Sequence, residues 1–175
     1  MNVYGSFSPK PDGTTPTNKG VGGSTATVTG MGWDVVVTHS GLFDGLELFA
    51  GISEIEQNSS LGDKDSEAWG ATYAFGGVTV GWQNTEEDNV GAKGATYDND
   101  AYAISFAVND DLSISYGVHE STGSTPGRAV KAQSLQASYT VGGASIKFAE
   151  TEVDNQNYQS ASNREGRTVA LTLAF

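Results

Sequence analysis

The residues able to do chemistry are few and far apart. His39 and His119 have no metal-ligand spacing, and neither has a Ser and Asp partner in a recognisable catalytic motif. Cysteine is absent, which removes thiolate nucleophiles, thiolate metal sites and disulfides. The expectation is therefore that the chain is not an enzyme. Asp63, Asp65 and Glu67 alternate, as do Asp98 and Asp100, and carboxylates are the hard oxygen ligands that Ca²⁺ takes. The EF-hand spacing, with its Gly and twelfth-position Glu, is missing. Asp63, Asp65 and Glu67 are thus read as solvated loop acids or as a loop calcium site, and no other cofactor is expected.

The elements that must carry these residues read as strands. Hydrophobic residues make up 37% of the 175 residues, glycine numbers 23, and Ser, Thr, Gly and Ala alternate with Val, Ile and aromatics. Mean hydropathy is -0.31, and no stretch approaches the length of apolar helix that crosses a bilayer. Ala71–Trp82, with Gly76-Gly77 at its centre, resembles Ala137–Phe148, with Gly142-Gly143 at its centre. Ile104–Tyr116, turning at Asn109-Asp110-Asp111, lies between them, and the repeat spacing is roughly 33 residues. Gly-Gly and Asn-Asp inside alternating runs signal tight hairpin turns. Ten strands are expected, over residues 2–8, 31–39, 45–56, 67–75, 77–84, 100–108, 112–120, 132–141, 143–151 and 166–175. The whole chain reads as one domain, with a Pro- and Thr-rich long loop over 9–30.

The connections alternate short and long. Short turns fall near 40–45, 76–77, 109–111 and 142–143, and long polar segments near 57–66, 85–99, 121–131 and 152–165. A transmembrane barrel sorts its loops this way, with turns on one side of the membrane and loops on the other. Each strand shows a period of two. One face is apolar and carries Trp33, Trp69, Tyr73, Phe75, Trp82, Tyr116, Tyr139, Phe148 and Phe175, the expected membrane-facing aromatic girdle. The other is Gly, Ala, Ser and Thr. The expected fold is an all-β, antiparallel up-and-down transmembrane β-barrel. A soluble barrel with its apolar face inward is the alternative; the sorted loops and the closing strand speak against it.

On a barrel, Asp34, Glu47, Gln83, His119, Gln136, Lys147 and Arg167 are expected to line the lumen, where fixed charge sets ion preference. Asp34 and Glu47 are expected near the short-turn half, His119 and Arg167 toward the long-loop mouth. Net charge is -12, which disfavours a nucleic-acid partner and predicts weak cation selectivity. The acids are expected to gather between strands, at 63–67, 86–88 and 150–154.

The run Gly166–Phe175, alternating and ending on Phe, resembles the closing strand of bacterial outer-membrane proteins. The stretch from about Met31 to Phe175 resembles the C-terminal part of Gram-negative porins, particularly the alphaproteobacterial kind. It does so in its Gly-Gly hairpins, its Ser/Ala/Tyr-rich strands and that last strand. The resemblance implies passive diffusion of small hydrophilic solutes and ions, a homotrimer, and an outer-membrane setting among lipid and lipopolysaccharide. It also implies recognition of the last strand by the barrel-assembly machinery, and it allows loop calcium. Porins of this kind have about sixteen strands. No signal peptide is visible at the N-terminus, so the expectation is a mature, trimmed or partial chain. A barrel of about eight strands is filled by its own side chains. An inner face of small residues, with Phe49 the bulky exception, would leave so narrow a barrel hollow, which favours part of a wider one. The alternative function is a small non-channel outer-membrane barrel with a structural or adhesive role.

Overall fold

The computed structural model describes residues 1–9, 30–57, 61–124 and 129–173. Nearly all of the loop expected over 9–30, and the girdle residue Phe175, lie outside the described residues. Ten strands follow in order: β1 (Asn2–Ser8), β2 (Gly32–Ser40), β3 (Leu46–Ile55), β4 (Lys64–Phe75) and β5 (Val78–Asp88). They continue with β6 (Thr96–Ala107), β7 (Leu112–Gly123), β8 (Val130–Val141), β9 (Ala144–Asp154) and β10 (Arg164–Leu173). Each pairs antiparallel with the next in one up-and-down sheet whose two edges are β1 and β10, so the sheet is not closed. Among the described residues there is no α-helix, only a 3-10 turn at Gln156–Tyr158.

The hairpin chemistry is local. Gly142 and Gly143 both take positive φ, 55° and 83°, as a two-residue turn matching strand twist requires. At the β6–β7 turn the Asn109 side-chain oxygen accepts the N–H of Asp111 and of Leu112, both at 2.9 Å. That Asx-type bond is the reason an Asn opens the turn.

The strands run further into the polar segments than the composition implies. β5 continues through Glu86-Glu87-Asp88, β6 begins at Thr96, and β4 begins at Lys64. The acids expected between strands at 63–67, 86–88 and 150–154 are therefore mostly strand residues. Charged residues have low strand propensity, but ladder hydrogen bonds from both neighbours override it. The register then puts like charges opposite one another: Glu67 with Glu86, Glu86 with Asp98, and Asp100 with Glu120. Such pairs are destabilising. Asn84 relieves some of this by donating to Asp98 at 2.7 Å and to Asp100 at 3.3 Å.

Among the described residues no second layer covers the sheet. Apart from Gly70, only Val118 and Ser121 are buried among the described residues. The bulky apolar side chains stand on one face and in contact with solvent, with Trp69 49%, Phe75 52%, Phe106 46% and Leu171 63% exposed. Half of an aromatic side chain is about 100 Å², and leaving it in water forgoes about 2.5 kcal/mol of burial. Cavities of about 380, 420 and 290 Å³ open mainly on the opposite, small-residue face, and one of about 330 Å³ beside Trp33, Ile52 and Glu86 opens on the bulky face. The small residues thus share the side with most of this cavity space, the concave face, and the bulky residues the convex face, an arrangement consistent with part of a barrel wall.

Candidate functional site

Pairing partners point to the same side of a sheet, so the register assigns every strand residue to the concave or the convex face. Beginning at Asp34, the partners run Ser53, Ser66 and Glu87; from Gln83 they run Ala101, His119 and Ala132. Gln136 pairs with Ala149, and Lys147 with Ser138 and Ala170. Asp34, Glu47, Gln83, His119, Gln136 and Lys147 therefore share the concave face. His39 lies on the other face, opposite Leu48.

Arg167 does not join them. It shares the convex face with Val169, Leu171 and Leu173, pairs with Glu150, and holds that carboxylate through Nε at 2.9 Å and Nη2 at 2.7 Å. The period of two in β10 already requires this. The concave-face arginine is Arg164, whose Nε donates to Gln156 at 3.0 Å. Asp34 also needs correction in height. β2 enters from the long-loop end, so Asp34 sits near that end, with its carboxylate accepting the Ser6 hydroxyl. Glu47 is at the short-turn end and His119 toward the long-loop end, as expected.

Three concave-face charges were hidden by strand ends drawn too short: Arg164, Lys64 and Glu87. Lys64 and Glu87 pair at 3.4 Å across β4 and β5. The concave face of the described strands thus holds Asp34, Glu47 and Glu87 against Lys64, Lys147 and Arg164. Acid is not in excess there. One of the cavities on this face is lined by small groups such as Gly81, Ala103 and Gly117, together with Phe49, Gln83 and His119. Phe49 covers Gly70, where a Cβ would stand 2.6 Å from the Phe49 ring and 2.4 Å from the Trp82 carbonyl oxygen. Only glycine fits that approach.

The acid excess is on the convex face. Glu54, Asp65, Glu67, Glu86, Asp88, Asp98, Asp100, Glu120, Glu150, Glu152, Asp154 and Glu165 all project there, against Lys131 and Arg167. All lie toward the long-loop ends of their strands and form a collar above the apolar band. Asp65 and Glu67, expected with Asp63 as a loop calcium set, belong to this collar. Asp63 is turned to other work: its Oδ1 accepts the Gln57 N–H at 3.3 Å and its carbonyl oxygen the Asn89 side chain at 2.6 Å. Among the described residues no group of three or more His, Asp or Glu side chains is placed to hold a metal ion.

The edge between apolar band and collar has a definite slope. The last apolar convex residues are Ile52, Trp69, Trp82, Tyr102, Val118, Leu135, Phe148 and Val169 on β3 through β10. Their pairings shift the edge toward the short turns at four of the seven strand-to-strand steps, two residues each time. Eight residues at about 3.3 Å, over seven spacings of about 4.8 Å, make a slope of about 40°. Strands in transmembrane barrels tilt by 35–45°. The edge is level when the strands have that tilt.

The expected girdle residues Trp33, Trp69, Tyr73, Phe75, Trp82, Tyr116, Tyr139 and Phe148 all share the convex face. Trp69, Trp82 and Phe148 lie on the upper edge of the band, with the two indoles edge-to-face at 4.5 Å. Phe75 and Tyr139 lie on its lower edge. Tyr73 and Tyr116 fall within it, the latter donating to Gln133 at 2.8 Å. Neither a protein-family model nor a curated protein matches the chain.

Proposed function

We propose that the chain forms the wall of a porin-type β-barrel in a bacterial outer membrane, a water-filled channel through which small hydrophilic solutes and ions diffuse passively. The sloped edge of the apolar band carries this reading. An exposed apolar surface this wide needs a covering, and an edge that becomes horizontal at barrel tilt points to a planar one, a bilayer. Aromatics at the band's edges suit the interfacial depth. A concave face of Gly, Ala, Ser and Thr with sparse, balanced charge suits a bore filled with water.

Weak cation preference belongs to this reading, but its source moves. The collar and mouth acids act on the entrance through water, whereas the bore itself is balanced. Lipopolysaccharide and lipid headgroups would meet the collar. A homotrimer, and recognition of β10 during assembly, belong to the same proposal and rest on the resemblance alone.

The test is refolding of the chain into lipid vesicles, followed by planar-bilayer recording under a salt gradient. Discrete steps with a small cation-biased reversal potential are expected. Silence alongside intact β-structure by circular dichroism would overturn the channel. It would leave the second reading, a closed barrel with a structural or adhesive surface role, which the inward fold of the β9–β10 connection favours.

A further inference from the structure

The β9–β10 connection folds onto the concave face instead of standing clear of it. The Tyr158 ring centre lies 5.5 Å from that of Tyr97, and its hydroxyl is 2.7 Å from Ser121 Oγ. Tyr97 pairs with Gly123 and Asn99 with Ser121, which puts Tyr97, Ser121 and Gly123 all on the concave face at the long-loop end. Ser121 is only 7% exposed. Tyr158 lies over it, its hydroxyl on the Ser121 oxygen, and contributes to that burial. A side chain at Gly123 would crowd the same place, since a Cβ there would stand 3.2 Å from Tyr97 and 3.8 Å from Tyr158.

The fold-back is held at both ends. Asn155 Nδ2 donates to the Ala129 carbonyl oxygen at 3.0 Å, and Arg164 donates to Gln156. Its backbone is also strained: Asn155, Asn157, Tyr158 and Ala161 have φ of 54°, 57°, 58° and 62°. Asparagine tolerates that region, but tyrosine and alanine seldom enter it. Such strain persists where the surroundings over-determine the conformation, and it concentrates at functional sites.

We propose that Tyr158, seated on Ser121 and Tyr97, constricts the long-loop mouth of the channel and sets the size of uncharged hydrophilic solute that enters. The inference rests on the channel reading above. A phenol narrows the passage without adding a field, so it sorts by size and leaves charge preference to other groups.

The test uses the full chain in planar bilayers and in liposomes challenged with sugars of increasing size. Tyr158→Ala should raise the conductance step about twofold and admit larger sugars, with the reversal potential unmoved. Tyr158→Phe and Ser121→Ala untether the ring and should make the current noisier. A second reading uses Tyr158→Cys, the sole thiol in a chain without cysteine: a bulky thiol reagent should shrink its step. Equal steps and equal sugar limits in wild type and Tyr158→Ala, or no response of Tyr158→Cys to the reagent, would overturn the constriction and leave the channel standing. Silence of every variant with intact β-structure would overturn the channel and the constriction together.

Discussion

Val80 and Arg167 belong to one register row, linked through Ile104, Tyr116, Leu135 and Glu150, yet the membrane reading puts them at different depths. Adjacent strands are about 4.8 Å apart, and at a tilt of about 40° each step changes height by about 3 Å. Five steps from β5 to β10 make about 15 Å, half the thickness of a hydrocarbon core. Val80→Arg should therefore cost about 2–4 kcal/mol, an equilibrium shift of roughly thirtyfold or more, because it buries a guanidinium within the band. The same residue type stands naturally at 167 with little penalty. Asp100→Arg, in the collar, should change stability by less than about 1 kcal/mol, and so should the adjacent concave-face variant Thr79→Arg. The assay is reversible urea unfolding of the vesicle-inserted barrel, followed by tryptophan fluorescence. Equal costs for Val80→Arg and Thr79→Arg would refute the lipid-facing assignment. A larger cost for Thr79→Arg would mean the apolar face points inward.

Four further outcomes follow from the same geometry. Brominated lipid acyl chains should quench Trp69 and Trp82 fluorescence, and bromination close to the headgroup should quench more than bromination at the chain end, because both indoles stand on the upper edge of the band. Cation preference should be clear at low salt and fade toward 1 M, where the screening length falls to about 3 Å and collar acids no longer reach the entrance. Lys147→Glu, which tips the balanced concave face, should instead strengthen cation preference at both salt concentrations. Replacing Asn84 by Leu should destabilise the sheet by about 1–3 kcal/mol, read in the same urea unfolding, since Asp98 and Asp100 lose a shared donor.

Alternation made the strand faces legible. Trp69, Tyr73, Phe75 and Trp82, or Thr72 and Thr79 on the other face, follow a period of two that survives folding without change. The turns were legible too, since Gly142-Gly143 and Asn109 carry their own backbone chemistry. Strand ends were not, because Glu86, Asp88 and Asp98 look like loop residues until a neighbouring ladder claims them. That hid Lys64, Glu87 and Arg164. The error at Arg167 was different: its charge outweighed a parity that the flanking Val169 and Leu171 had already settled. Tyr158 left no signal at all. A fold-back depends on contacts with Ser121 and Tyr97, which lie 37 and 61 positions earlier in the chain, and no local pattern records them.

The division of charge bears on how such a channel would select. Had the acids drawn cations through the bore, they would stand on the concave face; twelve stand on the convex face and three on the concave. A solute past the entrance meets Asp34, Glu47 and Glu87 offset by Lys64, Lys147 and Arg164, and so meets little net field. Selection inside then falls to width. Ten strands at the observed stagger would close at a backbone radius of about 10 Å, and each added strand widens it roughly in proportion. Small side chains of about 3 Å reach leave a bore radius near 7 Å. A tyrosine side chain extends about 6–7 Å, so one ring folded inward spans much of that radius. At such a mouth, a single aromatic on a strained backbone decides more about passage than the whole acidic excess of the chain.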